Sequence, residues 1–358
     1  MTLSNTYSAF LALIRLGVGN PSSGIPSEVD WLEIRALAEQ HGLSAIVLDG
    51  IEKLPEKSRP PKGVLLQWIA ETLQVYERRF ELYCHSIADL AEFYNSHGFK
   101  MMVIKGYACS LDWPKPAHRP CGDIDIWLFG RQKEADALLA KERSVSIDSS
   151  HLHHTVFDWK GFTVENHYDY INVYHHKSNV SYEKLLKKLG ADDSYFVELF
   201  GEKVYFPSPN LNALFLLKHL MMHFASEGIN LRQLMDWAYF VKAHGNSVDW
   251  ETVFGVLEEY GMKEMFNMLN AICVEDLGFE PTVFPQVQFN PSLKERVLNE
   301  ILTPEFSNQM PRPLFKRVLF KFRRWQGSAW KHELCYKESM WSAFWSGLWA
   351  HLLKPASI

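Results

Sequence analysis

Residues 122–128 have the sequence Gly-Asp-Ile-Asp-Ile-Trp-Leu, in which polar and apolar side chains alternate. This period of two is typical of a β-strand, whose successive side chains point to opposite faces. Asp123 and Asp125 therefore share one face, and Ile124 and Ile126 share the other. Carboxylates this close repel each other unless a cation such as Mg²⁺ lies between them. Since two acids that face water give the same short pattern, the surrounding segments decide between a metal site and a solvated strand.

The segments around this strand predict an α+β fold. β-type runs at 101–104, 144–148, 153–159 and 162–172, with a hairpin turn at 159–161 and a helix at 131–142, indicate a mixed sheet. We expect four or five strands with helices on one face.

Helices are predicted on both sides of the sheet segment. Apolar residues recur at helical spacing in 64–96, and Ser208 with Pro209 forms a good helix start. We therefore expect an N-terminal helical region at 1–98, a sheet domain at 99–207, and a C-terminal helical region with a basic aromatic tail at 208–358.

The composition is that of an ordinary globular protein. The chain has 358 residues, of which 47% are hydrophobic, and a formal net charge of −5. This small negative charge argues against a basic surface for stable DNA binding. The five cysteines are scattered without a CxxC pair, and no segment reaches the roughly 20 apolar residues that span a bilayer. We expect reduced thiols, no secretory signal and a cytoplasmic location.

Two segments supply the cations that a phosphoryl-transfer site needs beside its acids. Lys105-Gly106 ends a β-type run and opens a short helix, which places backbone N–H groups and an ammonium where a triphosphate binds. Arg119 lies in the loop that leads into the carboxylate strand. Acids for a metal and cations for phosphate together indicate phosphoryl transfer.

A third acid would complete a site for two metal ions. Glu165 is the candidate, because it lies in the alternating run 162–168 and would reach the same metal if that strand neighbours the carboxylate strand. Asp169 ranks second, and Asp158 ranks below it because it lies beside the predicted turn.

The order of these residues resembles a known family. It is similar to the nucleotidyltransferases of the DNA polymerase beta superfamily, and more narrowly to a family of uncharacterised bacterial nucleotidyltransferases. The resemblance covers residues 95–255, approximately. The residues that carry it are Lys105-Gly106, Arg119-Pro120, Gly122-Asp-Ile-Asp125, Glu165-Asn-His167, His219, His223, Arg232, Asp236 and Asp249-Trp250.

The resemblance implies a polymerase beta-like nucleotidyltransferase domain at 99–207. Such a domain transfers a nucleoside monophosphate from a nucleoside triphosphate to an acceptor and releases pyrophosphate, with two Mg²⁺ ions, or Mn²⁺, as cofactor. The acceptor is left open between a small molecule, a sugar, an RNA end and a protein side chain. The implied catalytic and metal-binding residues are Asp123, Asp125 and Glu165.

The same resemblance implies a set of nucleotide and phosphate contacts. Tyr107 replaces the small second residue of the superfamily's Gly-Ser or Gly-Gly pair, which leaves Lys105 and backbone amides to contact the phosphates. The implied contacts are Lys105, Gly106, Tyr107, Arg119, Gly122, His219, His223, Arg232 and Asp236.

Several of these residues have competing structural interpretations. His219 and His223 are four residues apart on a helix and would serve as buried, hydrogen-bonded side chains or as substrate contacts. Arg232 and Asp236 have the same spacing, which permits either nucleotide contacts or an intrahelical ion pair worth about 0.2–0.5 kcal/mol.

A histidine-rich patch raises the question of a zinc site. It comprises His151, His153, His154, His175 and His176. Strand alternation sends His153 and His154 to opposite faces, and no cysteine accompanies them, so we interpret them as solvated or packing side chains.

Two other functions compete with transfer. One is a catalytically inactive nucleotide-binding or regulatory module, with weak contact to anionic membranes through the basic aromatic segment 311–353. The alternative interpretation of that segment is a purely structural one, in which a pair of helices packs on the body of the protein. The other is a phosphodiesterase, which is disfavoured because 101–206 has no concentrated stripe of lysine and arginine.

Overall fold

The computed structural model describes residues 4–20, 22, 24–26, 29–174, 176–285, 288–304 and 314–353. The α-helices in these residues are α1 Asn5–Gly17, α2 Trp31–Gln40, α3 Ser44–Glu52, α4 Lys62–Glu71, α5 Arg78–Ser96, α6 Tyr107–Ser110, α7 Gln132–Arg143, α8 Lys177–Leu189, α9 Pro209–Ser226, α10 Leu231–His244, α11 Trp250–Tyr260, α12 Lys263–Glu275, α13 Pro291–Leu302, α14 Leu314–Gly327, α15 Ala329–Cys335 and α16 Met340–Leu353. The strands are β1 Met102–Val103, β2 Ile124–Trp127, β3 His154–Trp159, β4 Phe162–His167, β5 Phe196–Leu199 and β6 Glu202–Tyr205.

The strands form one mixed sheet in the order β3-β4-β2-β1-β6-β5. β2 runs parallel to β4 and β1 runs parallel to β6, whereas the other neighbours are antiparallel. The predicted α+β class with a mixed sheet is confirmed. The prediction missed the hairpin of β5 and β6, and the predicted strand at 144–148 is reduced to a single bridge between Asp148 and Val156.

The two faces of the sheet follow the alternation of its strands. Ile124, Ile126 and Val164 belong to a core that the sheet shares with α5 and α7. The intervening residues Asp125 and Glu165 point to the other face, where the sheet opens onto a cleft. The alternation seen in 122–128 thus separates an apolar side, packed on helices, from a polar side.

A turn of two residues joins β3 to β4. Lys160 has a φ of 48° and Gly161 a φ of 84°, so both residues of the turn lie in the left-handed region. Two positive φ angles match the right-handed twist of a β-hairpin. The hairpin turn expected at 159–161 is therefore confirmed.

The first and last helical regions share the larger core of the protein. Phe10 of α1 and Trp68 of α4 belong to the same buried cluster as Leu234 of α10 and Met265 of α12. The side chain of Arg15 donates from Nε to the carbonyl of Asp276 at 2.8 Å. α5 instead packs with the sheet, although the predicted boundary near residue 98 follows it in the chain.

The structure confirms most of the helices that the spacing of apolar residues predicts. The run predicted at 64–96 consists of α4, a π-helical turn at Thr72–Glu77, and α5. α9 begins with Ser208 at its N-cap and Pro209 in its first turn, as expected. Among the helices that the structure describes, none combines the length and the hydrophobicity required to cross a membrane.

Candidate active site

The cleft beside the sheet has a volume of about 640 Å³ and lies between the sheet and helices α9 and α10. Asp125 on β2 pairs directly with Glu165 on β4, because the two parallel strands are in that register. Asp123 lies one residue before β2 and is exposed to the cleft. The three acids proposed from the sequence therefore line one wall of the cleft.

Two nitrogen groups lie against these carboxylates. Lys105 Nζ is 2.6 Å from Asp125 Oδ1, and His167 Nε2 is 3.0 Å from the same oxygen. His167 Nε2 is also 3.3 Å from Glu165 Oε2. One ligand atom each from Asp125, Glu165 and His167 lies within 4.8 Å of the others, a set that suits a divalent cation.

The buried charges at this wall shift the pKa values of its members. Burial alone would raise the pKa of Asp125, but Lys105 and His167 hold it far below its ordinary value. Burial would lower the pKa of His167, but its hydrogen bonds with Asp125 and Glu165 raise it. Loss of solvent and the neighbouring Asp125 carboxylate raise the pKa of Asp123. Asp125 is thus an anion that requires a cationic neighbour.

The turn at Gly106 requires a glycine. Its φ of 52° lies in the left-handed region, and a Cβ at this position would lie 2.4 Å from the hydroxyl oxygen of Tyr83. That hydroxyl donates to the carbonyl of Asp123 at 2.6 Å. Gly106 therefore lets the chain pass close to the carboxylate strand. The Tyr107 ring is buried in the core with Phe80, so only its backbone faces toward this turn.

Arg119 has a different partner from the one that the sequence suggested. Its guanidinium donates from Nε to Asp236 Oδ1 at 2.8 Å and from Nη2 to Asp236 Oδ2 at 2.9 Å. Trp113 Nε1 donates to the same carboxylate at 3.0 Å. Arg119 and Asp236 are both buried. Asp236 thus pairs with Arg119 and not with Arg232, the intrahelical partner considered above. Arg119 also lines the cleft, so its predicted phosphate contact stays a prediction.

Arg232 is instead the guanidinium that faces the cleft without an acidic partner. Its Nε is buried and has no hydrogen-bond partner, and no carboxylate of the described residues lies within ion-pair distance. Burial and the nearby Arg119 lower its pKa. The side chain packs on Gly42, where a Cβ would lie 3.3 Å from Arg232 Cδ. Gly42 follows His41 in the loop between α2 and α3, and no pattern in the sequence around it predicts this contact.

His219 and His223 lie on the α9 side of the cleft, with ring centroids 4.5 Å apart. Burial and the charge of Lys105 hold the pKa of His219 far below its ordinary value, so it is neutral at pH 7. His223 Nδ1 lies 3.1 Å from Glu227 Oε1. Gly122 also lines the cleft and is exposed.

The two lower-ranked acids lie outside the cleft. Asp169 is paired with Lys187, and Asp158 is an exposed residue near the hairpin that accepts from Thr163 Oγ1 at 3.4 Å. Neither residue lines the cleft. The structure therefore favours Glu165 over both alternatives.

The histidine patch is arranged differently from the prediction. β3 begins only at His154, so alternation does not apply to His153, and the two rings lie 4.5 Å apart. Both rings also approach His167, at 5.7 and 5.2 Å. His176 stacks on Tyr336 instead, and His175 lies outside the described residues. The separation of His153 from His154 was therefore wrong.

Comparison with known proteins agrees with this geometry. Residues 27–278 match the model of the family described as uncharacterised nucleotidyltransferase. The chain belongs to this family. The match includes α2 to α4, in which the sequence had offered no motif.

Two further comparisons add little to this assignment. The chain is 17% identical in sequence to an antigenic nucleotidyltransferase-like protein from Paracoccidioides brasiliensis, for which a crystal structure is known. The similarity covers 45% of this chain and 75% of that chain, with a TM-score of 0.33. No curated protein sequence matches the chain.

Proposed function

We propose that this nucleotidyltransferase family member transfers a nucleoside monophosphate from a nucleoside triphosphate to an acceptor, in a reaction that depends on divalent metal. The observation that carries the proposal is the register of β2 and β4, which sets Asp125 beside Glu165 in a cleft that Asp123 also faces. Carboxylate oxygens are the ligands that Mg²⁺ prefers. When bound there, Mg²⁺ would neutralise charge on the reacting phosphate and on the leaving pyrophosphate.

The donor set of the cleft fits such a cation. Lys105 already places an ammonium 2.6 Å from Asp125 Oδ1, with His167 Nε2 at 3.0 Å from the same oxygen, so the carboxylate wall is built to hold positive charge. Asp123, Asp125 and Glu165 would hold the metal. Glu165 would also accept the proton of the acceptor, since a general base must lie beside the attacking group.

Both walls supply phosphate contacts. Arg232, on the wall opposite the acids, brings a guanidinium that has no acidic partner among the described residues and whose planar fork matches phosphate oxygens. Lys105 brings an ammonium beside the acids. Gly106 and Gly122 expose backbone beside the acids. Arg119 also lines the cleft, and its pair with Asp236 fixes α10 against the loop before β2.

The test is transfer of α-labelled nucleotide by the full chain in the presence of Mg²⁺ or Mn²⁺. We expect label on the protein or on an added acceptor, together with pyrophosphate. Asp123→Asn combined with Asp125→Asn should abolish transfer, whereas Asp158→Asn, outside the cleft, should not. Failure to bind any of the four ribonucleoside triphosphates with either metal would contradict the proposal.

A melting-temperature series separates an active enzyme from an inactive nucleotide-binding module. A triphosphate that binds only the folded state stabilises it by about 2.7 kcal/mol at a concentration 100 times its Kd. Stabilisation with transfer supports the enzyme. Stabilisation without transfer to any acceptor supports the regulatory module.

We further propose that helices α14 and α16 contact anionic membrane surfaces. Phe322, Trp341 and Trp345 are exposed by 54%, 59% and 62%. Trp325 joins the two helices by packing on Trp341 at 4.9 Å between ring centroids. Lys316, Arg317 and Arg323 are exposed on α14, and aromatic side chains beside basic ones favour the interface of an anionic bilayer. Arg312, at the start of the predicted tail, lies outside the described residues.

Flotation of the full chain with vesicles tests this contact. We expect binding to anionic vesicles that high salt reduces, and weaker binding to zwitterionic ones, since screening weakens attraction to a charged surface. Trp345→Ser should lower the bound fraction. A chain that stays in solution with anionic vesicles at low salt would exclude the contact. The cytoplasmic location also stays a prediction, which the five unpaired cysteines support.

A further inference from the structure

Three histidines come together beside the carboxylate wall. His154 begins β3, His153 directly precedes it, and His167 lies at the end of the antiparallel partner β4. One ring nitrogen from each lies within 4.8 Å of the other two. Imidazole nitrogen is a ligand of zinc, copper, iron and nickel rather than of magnesium. This imidazole cluster therefore differs in chemistry from the acids beside it.

The cluster is buried, and two of its nitrogens have no hydrogen-bond partner in the described part of the chain. His154 is 7% exposed and its Nδ1 is unpartnered, and the Nδ1 of His153 is also unpartnered. A buried polar atom without a partner costs about 1–3 kcal/mol. A ligand bound by the Nδ1 atoms of His153 and His154 would remove that cost.

His167 is oriented as metal-binding histidines commonly are. Its Nδ1 lies 3.2 Å from the backbone carbonyl of Asp169, to which an Nδ1–H can donate. Its Nε2 faces the carboxylates. A ring whose first nitrogen donates to a carbonyl offers the other nitrogen as a ligand, which is the usual arrangement around zinc.

Glu165 lies beside two of these rings. Its Oε1 is 3.9 Å from His154 Nε2, and its Oε2 is 3.3 Å from His167 Nε2. The carboxylate therefore faces the far nitrogen of His154 and leaves Nδ1 of that ring for a ligand. A negative charge next to the three imidazoles also favours a cation among them.

We propose that His153, His154 and His167 bind one divalent cation of the zinc class, with Glu165 beside it, next to the carboxylates that would hold Mg²⁺. The ion would join β3 to β4 and would fix the carboxylate of Glu165 beside Asp125. The site does not depend on nucleotidyl transfer, because its ligands are present in the chain without nucleotide.

Metal titration of the chelator-stripped full chain tests this inference without nucleotide or acceptor. Co²⁺ serves as the spectroscopic probe, since tetrahedral Co²⁺ absorbs visible light, and Zn²⁺ is then measured by competition with a coloured chelator. We expect one ion per chain, retained in a large excess of Mg²⁺. His154→Gln should weaken binding at least tenfold, because loss even of an outer partner of a ligand costs 10–100-fold.

Two variants keep the test independent of misfolding. His153→Gln changes a half-buried ring and should weaken Co²⁺ binding with an unchanged circular dichroism spectrum. His85→Gln removes an exposed histidine that stacks on Phe200 away from the cleft, and it should bind metal as the wild type does.

Three results would overturn the inference. One is a wild type that takes up neither Co²⁺ nor Zn²⁺ at tens of micromolar. Another is equal metal binding by the His153, His154 and His85 variants. The third is loss of the ion in Asp123→Asn with Asp125→Asn but not in the histidine variants, which would assign it to the carboxylates. Absence of nucleotidyl transfer would contradict only the proposed function.

Discussion

Asp236→Asn is expected to lower the stability of the protein, whereas Arg232→Met is expected to weaken nucleotide binding. Asp236 accepts from Nε and Nη2 of Arg119, and the side chains of Asp236 and Arg119 are 9% and 8% exposed. An asparagine leaves the buried Arg119 charge without a counterion, and breaking such a pair costs about 3–5 kcal/mol. Among the described residues Arg232 has no acidic partner that its loss would leave unpaired, and methionine keeps the apolar part of the side chain that packs on Gly42.

Arg232→Met should instead weaken triphosphate binding. A charge-assisted hydrogen bond is worth about 1.5–3 kcal/mol, which corresponds to a rise in Kd of roughly 10–150-fold. Stability is measured by urea denaturation followed by tryptophan fluorescence, and affinity by calorimetric titration with triphosphate and Mg²⁺. The double variant Arg119→Met with Asp236→Leu should be less destabilised than the sum of its single changes, because it removes both charges.

A loss of less than about 1 kcal/mol in the free energy of unfolding of Asp236→Asn, below the range for a broken buried pair, would contradict the structural role of this pair. Triphosphate binding by Arg232→Met as tight as that of the wild type would contradict the phosphate contact of Arg232. An Arg119→Met variant that folds normally but loses nucleotide affinity would restore the phosphate role expected for Arg119 from the sequence.

Gly106→Ala should destabilise the protein by about 1–3 kcal/mol, because alanine is strained at that φ and its Cβ would meet the Tyr83 hydroxyl. The control is Gly63→Ala, at an exposed helical position, which should be neutral or stabilising in the same denaturation assay. The pKa of Glu183 is raised from 4.5 to about 7, chiefly by burial, so its folded state holds the proton more tightly than the unfolded chain. The resulting stabilisation is complete below about pH 4.5 and is lost as the pH rises through 7, so the free energy of unfolding should fall by about 3 kcal/mol over that interval. The fall should be smaller in Glu183→Gln. A difference in the free energy of unfolding between the two proteins that does not change with pH would contradict this expectation.

Local alternation was enough to predict the sheet wall of the cleft. A period of two places Asp125 and Glu165 on the polar faces of β2 and β4, and the structure then sets them side by side. The one-turn helix after Gly106 and the start of α9 follow equally from local residues. These features depend on a few neighbouring side chains, which a sequence displays directly.

The rest of the cleft depends on contacts between distant parts of the chain. Arg119 and Asp236 are 117 residues apart, and the nearer Arg232 offered a local partner that the fold does not use. α3 was missed because residues Ser44 to Ile51 are buried on all sides, which leaves no amphipathic pattern. The histidine cluster was misjudged because regular alternation was applied to His153, one residue before β3 begins.

The contact between α1 and the end of α12 also sets an order of assembly during synthesis. Arg15 donates to the carbonyl of Asp276, a separation of 261 residues. At roughly 5–20 residues per second, a ribosome adds that length in about 13–52 s, and throughout this time the apolar side of α1 has only its nearest helices to cover it. The N-terminal helices are therefore expected to stay accessible to chaperones until α10 and α12 emerge, and the Arg232 wall of the cleft forms after the sheet wall.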